Sequence, residues 1–168
     1  MAIFSLTYNV SREIRLLGSA KSDNVQWSLA QTQVEFLEFT IQLNETNLDL
    51  VKLRQRFDVF YSRITTVRSA TVFENLRENA NVRVILNVLD TFLEETVPLI
   101  DASDIKLQAQ IQEISLSAEK IRLNVRELNN LGLKLFAQES DDQRLALANT
   151  MTRLALAVAS LVGVLILA

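Results

Sequence analysis

Four separate stretches of this chain place apolar side chains at alternating intervals of three and four residues, the spacing that lines one edge of an α-helix. The first is Val25, Leu29, Thr32, Phe36, Phe39 and Leu43, with only Thr32 polar. The second is Leu50, Leu53, Phe57, Phe60, Ile64 and Val67. The third is Val82, Leu86, Leu89, Leu93 and Thr96. The fourth is Leu107, Ile111, Ile114, Ala118, Ile121, Val125, Leu128, Gly132 and Leu135. A strand sends alternate residues to opposite faces and cannot keep this period on one side. Each stretch is therefore expected to be a helix with one apolar edge, and such edges leave water only by packing on one another. The expected fold is all-α: an antiparallel up-down-up-down four-helix bundle whose long first and last helices lead to a membrane.

Composition points the same way. Three glycines and one proline in 168 residues are far below the ordinary usage of roughly 7% and 5%. Sheet proteins need many Gly/Pro turns, so few, long helices with short connections are favoured. The turn chemistry falls between the seams. Asn44, Glu45, Thr46 and Asn47 supply a helix–helix turn, with Asn47 or Thr46 as the expected N-cap of a second helix over roughly 47–68. The seam is lost around residues 68–71 and 75–81, which predicts a loop or an irregular helix start. Pro98 lacks an N–H, so the third helix is expected to end near Val97. Asp101 to Asp104 then offers caps and negative charge at the start of the fourth, which meets no further proline and is expected to run on into the C-terminal tail.

The two ends differ from the middle. From Leu154 to Ala168 the chain carries no charge. As a helix those 15 residues rise about 22 Å, against a hydrocarbon core of ~30 Å, so the tail reads as the start of a transmembrane helix truncated at residue 168. Its apolarity on all sides argues against a bundle helix, which keeps one polar face. At the other end, Ala2 to Tyr8 is apolar with an aromatic terminus, followed by Asn9 and the charged run Ser11 to Arg15. That is how a membrane helix leaves the bilayer. Between the fourth seam and the tail, Glu139 to Asp142 interrupts the pattern, which resumes out of phase as Leu147, Met151, Leu154, Val158, Leu161 and Leu165. Such a phase break over- or underwinds a coiled coil locally; it serves either as a solvated juncture above the bilayer or as a control segment that absorbs rotation.

Several function classes are excluded by what is missing. With no histidine and no cysteine, Ser-His-Asp and Cys-His catalysis, thiolate and imidazole metal sites, disulfides and a phosphoaccepting histidine are all impossible in this chain. The net charge of −3, from 17 basic and 20 acidic residues, comes with no basic run of the kind that neutralises phosphates, so nucleic acid is not an expected partner. No catalytic, metal or cofactor site is assigned, and ligand-binding residues are left open. The side chains weighed were these. Trp27, off the seam, suits a helix flank or dimer surface, or the wall of a pocket. Arg54, Arg56, Arg63 and Arg68 suit a solvated face paired with acids at i±4, or a grip on a small carboxylate. Phe57, Phe60 and Tyr61 suit a core. The acidic pairs Glu94/Glu95 and Asp141/Asp142 lack the company of a calcium or catalytic site.

Four segments carry a resemblance. They are Tyr8 to Arg15 leaving the first apolar segment, Asp23 to Trp27 opening the first seam, Arg56 to Arg63 in the second helix, and Glu139, Ser140 and Asp141 before the tail. With these segments and its layout, the chain resembles the periplasmic four-helix-bundle input regions of bacterial transmembrane receptors, particularly hybrid sensor histidine kinases and chemoreceptor-like proteins. The resemblance implies a non-enzymatic input domain, homodimeric, with output modules following the second anchor; no output module is present in this chain. On this reading residues 1–10 end a first transmembrane helix, 11–146 form the extracytoplasmic sensor, and 147–168 begin a second transmembrane helix. The expected partners are the membrane, a second copy, and a small ligand or periplasmic binding protein, with no cofactor. The expected location is the bacterial inner membrane with the bundle in the periplasm. The rival expectation is a tail-anchored coiled-coil tether, separated from the receptor by whether further apolar residues precede Ala2.

Overall fold

A computed structural model describes residues 24–167, apart from the side chains of residues 139, 140 and 165–167. The expected first membrane segment, over residues 1–10, and the charged run behind it lie outside the described residues. The chain is all-α, and among the described residues no strand occurs. Residues 24–43 form α1. They are followed by α2 (Leu50–Ser69), a 3-10 turn (Thr71–Phe73), α3 (Glu74–Glu78), α4 (Ala80–Ile100) and α5 (Asp104–Leu167).

The four seams are where the core forms. Every residue of the first seam is buried, Thr32 included, as are Leu53, Phe57, Phe60, Ile64 and Val67 of the second. The third and fourth seams follow, with Leu50, Ile111 and Leu135 half-buried at the margins. An aromatic ladder joins three helices. The Phe60 ring on α2 lies 5.3 Å from Phe36 and 6.5 Å from Phe39 on α1, and 6.5 Å from Phe92 on α4. Phe39 also meets Phe57 at 5.4 Å. The Phe39 and Phe60 rings are stacked, and the other three contacts are tilted, which puts ring edges near ring faces, the arrangement the aromatic quadrupole favours.

The helix ends show how short connections were reached. The N-cap of α2 is Asp49, not Thr46 or Asn47 as expected. Its Oδ1 accepts from the backbone N–H groups of Val51 (3.0 Å) and Lys52 (3.1 Å). The side chain nearest the first helical turn reaches two orphan donors, so the stretch before it becomes loop. Asn79 caps α4 in the same way, accepting from Asn81 and Val82. The lost seam around 68–81 does become an irregular passage, but Phe73 and Leu76 within it are buried. The Phe73 ring meets Phe136 of α5 edge-on at 6.5 Å.

The third helix does not stop at Val97. α4 runs through Pro98 to Ile100, because a proline this near the end forfeits one backbone bond, to the carbonyl of Glu94, and both residues are exposed. The backbone then closes through Asp101 N–H to the Val97 carbonyl (2.9 Å).

Gly132 sits where α1 and α5 approach closely. A Cβ built there would lie 2.4 Å from Leu29 Cδ1. Leu29 is fully buried and has little room to swing away. Gly132→Ala should gain up to ~1 kcal/mol of helix propensity yet lose about 1–3 kcal/mol to overpacking. The expected outcome in urea denaturation is net destabilisation. Adding Leu29→Ala should cost less than the sum of the two single changes.

Candidate functional site

The four arginines of α2 and the exposed run of α5 are the parts of the fold with chemistry left to explain. The arginines come first. Arg54 reaches over the end of α4: its Nε donates to the Ile100 carbonyl (3.0 Å), and its Nη2 donates to the Ala102 carbonyl (2.8 Å). Its Nη1 donates to the Asp104 carboxylate at the start of α5 (2.8 Å). The last carbonyls of a helix are unsatisfied acceptors at the negative end of its dipole, and the guanidinium fork meets two acceptors and a carboxylate at once. Arg77 does the same for α2, donating to the carbonyls of Val67 (2.9 Å) and Ala70 (2.8 Å). Arg56 pairs with Glu35 (3.7 Å) and Glu38 (3.4 Å) on α1. Glu35 is only 8% exposed and is held from its own helix by Gln31 (2.9 Å). Arg68 pairs with Asp90 of α4. Arg63 stacks over Trp27, with 5.7 Å from its guanidinium carbon to the ring.

This corrects the expected i±4 pairing along α2. Each of these partners lies on another element, because the seam turns the flanks of α2 toward α1 and α4 rather than along its own surface. It also leaves no arginine pair converging on a small carboxylate, since all four guanidinium groups are engaged with the protein. Arg54→Ala should therefore destabilise the fold by about 1.5–3 kcal/mol, the cost of lost charge-assisted bonds to two helix-end carbonyls. Arg54→Lys should recover only part of that, since a point charge cannot serve three acceptors in a fixed fork. Chemical denaturation of the two variants checks both.

The other weighed residues fall as follows. Phe57 and Phe60 are core, while Tyr61 lies 42% exposed with its ring 6.3 Å from Phe57. Trp27 is 61% exposed on the outer flank of α1. Glu94 and Glu95 are exposed on α4, and Asp141 pairs loosely with Arg144 one turn on (3.7 Å). Asp142 lines a shallow cleft of about 380 Å³ with Leu76, Leu135, Phe136 and Gln138, where α3 meets α5. Among the described residues no group of three ligating side chains is placed to hold a metal ion.

α5 is the remaining feature. It is one unbroken helix of 64 residues, so it rises about 96 Å. The fourth seam packs it into the core from Leu107 to Phe136. Its direction opposes that of α1, with Leu29 beside Gly132, Gln33 bonded to Asn129 (2.8 Å) and Asn44 to Ser115 (3.4 Å). The helix does not end at the Glu139–Asp142 interruption. Beyond it only Leu147 and Met151 are half-buried, until the exposure of Leu154, Leu156, Val158, Leu161, Val162 and Val164 begins. An 18-residue window there has a mean hydropathy of 1.6, and none of it is buried. It rises about 27 Å, close to the ~30 Å of a bilayer's hydrocarbon core. An apolar helix surface of that size in water is strongly unfavourable, at about 25 cal/mol per Å². Length and composition suit it to cross a membrane.

No protein family, curated protein or solved structure matches this chain.

Proposed function

We propose that this chain is the extracytoplasmic input region of a bacterial transmembrane receptor of the sensor histidine kinase type, anchored in the inner membrane with its helical part in the periplasm. In this reading α1, α2, α4 and α5 form an up-down-up-down bundle, and the outer pair, α1 and α5, faces the membrane end. The region has no catalysis of its own. The observation that carries the reading is the continuity of α5, a single helix from a packed core to a bare apolar tail. A helix gripped at one end by a core and at the other by lipid transmits rotation or sliding between them. A stimulus that favours one packing of the bundle shifts the population of stem positions by its differential affinity.

The rival tether uses the same tail only to hold a binding helix at a surface, and the single candidate span among the described residues is all it needs. The two readings differ in what the stem's phase does. In a chimera joining residue 167 to the cytoplasmic module of a reporter histidine kinase, one alanine inserted after Ala146 turns everything downstream by about 100°. Seven inserted residues restore the phase to within about 20°. The receptor reading expects the single insertion to change kinase output and the sevenfold one to leave it near the parent level. Equal output from both would favour the tether. Location is tested with Leu123→Cys in intact cells, where a membrane-impermeant maleimide should label it from outside. Labelling only after the inner membrane is opened would contradict a periplasmic bundle.

A further inference from the structure

The core-facing positions of α5 continue past the point where the core ends. Carried on at the same spacing of four and three, the seam of Leu128, Gly132 and Leu135 next falls on Glu139 and Asp142. The helix is unbroken there, so Asp142 stands on the same face as Leu135 and Gln138, two turns and one turn back. Against that face packs α3, only five residues long, whose one buried residue is Leu76. Between them lies the cleft of about 380 Å³, inside the range of roughly 300–1,000 Å³ that holds small molecules. Its floor is apolar, made by buried Leu76 and Phe136 and half-buried Leu135. Its exposed rim is polar, with the amides of Asn75, Gln138 and Gln143 and the Asp142 carboxylate. We propose that this cleft binds a small organic ammonium ion, with its charged head at Asp142 and its apolar body on the floor.

Charge decides the class of ligand. None of the side chains lining the cleft is basic. The basic residues beside it in sequence are engaged elsewhere. Arg77 donates to the carbonyls of Val67 and Ala70 (2.9 and 2.8 Å), and Arg144 pairs with Asp141 (3.7 Å). Among the described residues no ion pair includes Asp142. Glu74 and Glu78 add two more exposed carboxylates on α3. An anion would meet only like charge here, and a neutral ligand would leave the carboxylate unmatched. An ammonium donates to Asp142 and to the Gln138 amide oxygen, while its hydrocarbon leaves water against Leu76, Leu135 and Phe136. A ligand held this way ties α3, part of the core, to the first turns of α5 beyond the core. Its effect on the stem rests on the receptor reading, whereas the site itself does not.

The probe is benzylammonium, with benzyl alcohol and benzoate as its neutral and anionic counterparts of similar size. The full chain in detergent micelles carries isotope-labelled leucine methyls, followed by NMR. Benzylammonium should shift the Leu76 and Leu135 methyl signals saturably, with a Kd on the order of a millimolar. Asp142→Asn should weaken binding about three- to tenfold. Glu127→Gln removes another exposed carboxylate of α5 and should leave binding unchanged. Benzyl alcohol should bind more weakly, and benzoate should not bind. Shifts centred on Leu154, Leu156 and Leu161 would mean that the amine dissolves along the tail, and would overturn the proposal. Equal weakening in the two variants means diffuse attraction to a negative chain and overturns it too. Benzyl alcohol binding as tightly as the ammonium, or no shift at Leu76 and Leu135, has the same consequence. In the reporter chimera, benzylammonium should change kinase output in the parent and not in Asp142→Asn. Binding without that change leaves the site standing and counts against the receptor reading.

Discussion

Replacing Phe60 with alanine is expected to destabilise the fold by about 3–5 kcal/mol, the usual cost of removing a buried aromatic ring. Phe60 is fully buried and its ring is the meeting point of Phe36, Phe39 and Phe92, so one truncation loosens α1, α2 and α4 together. A cavity among rings cannot close without moving helices, which places the loss toward the upper end of that range. Against a total stability of about 5–15 kcal/mol for a domain, such a change leaves little margin. Urea denaturation followed by circular dichroism reads it as a lower midpoint. Tyr61→Ala is the internal comparison. That ring sits at the edge of the same cluster, 42% exposed, and its loss should cost under about 1 kcal/mol. Equal losses at the two positions would mean that the ladder does not organise the core.

The second large effect lies in the tail and leaves the core untouched. Leu156 is 66% exposed and stands well past Phe136, the last of the α5 residues described as buried. Leu156→Arg should weaken membrane insertion by about 2.5–3.5 kcal/mol, the cost of arginine near the centre of a span. That corresponds to a drop in the insertion equilibrium constant on the order of a hundredfold. Vesicle flotation measures it directly. The urea midpoint of the helical core should stay where it was, because residue 156 touches none of it. Leu128→Arg is the mirror image: Leu128 is 1% exposed, and a charge there should unfold the core before any question of insertion arises. If Leu156→Arg lowered core stability instead, the tail would be packing on the protein rather than on lipid.

Much of the architecture was legible because apolar spacing is a direct image of helix geometry. Each seam read from the sequence is a buried edge in the fold, and the missing pattern near residues 68–81 is the irregular passage through the 3-10 turn and α3. The parts that were not legible depend on contacts between residues distant in the chain. Asp49 rather than Asn47 caps α2, a choice among neighbouring cap-type residues that only the helix start decides. Pro98 stays inside α4 because the one bond it forfeits, to the carbonyl of Glu94, lies between two exposed residues near the helix end. The α2 arginines looked like a solvated or anion-gripping row, and nothing local signals that Arg54 ties down the end of α4 forty-six residues away. Phe73 and Leu76 lie off every seam, since short helices bury residues without building a period.

The proposed receptor requires α5 to join a packed region in water to a tail in lipid, and spin-label depth measures this most directly. Nitroxide attached at Leu123→Cys and at Val158→Cys, in separate samples of the chain in vesicles, reports collisions with dissolved oxygen and with a water-soluble nickel complex. Position 158 should meet oxygen and exclude nickel, while position 123 should meet nickel freely. Nickel reaching both positions equally would place the tail in water and contradict the account.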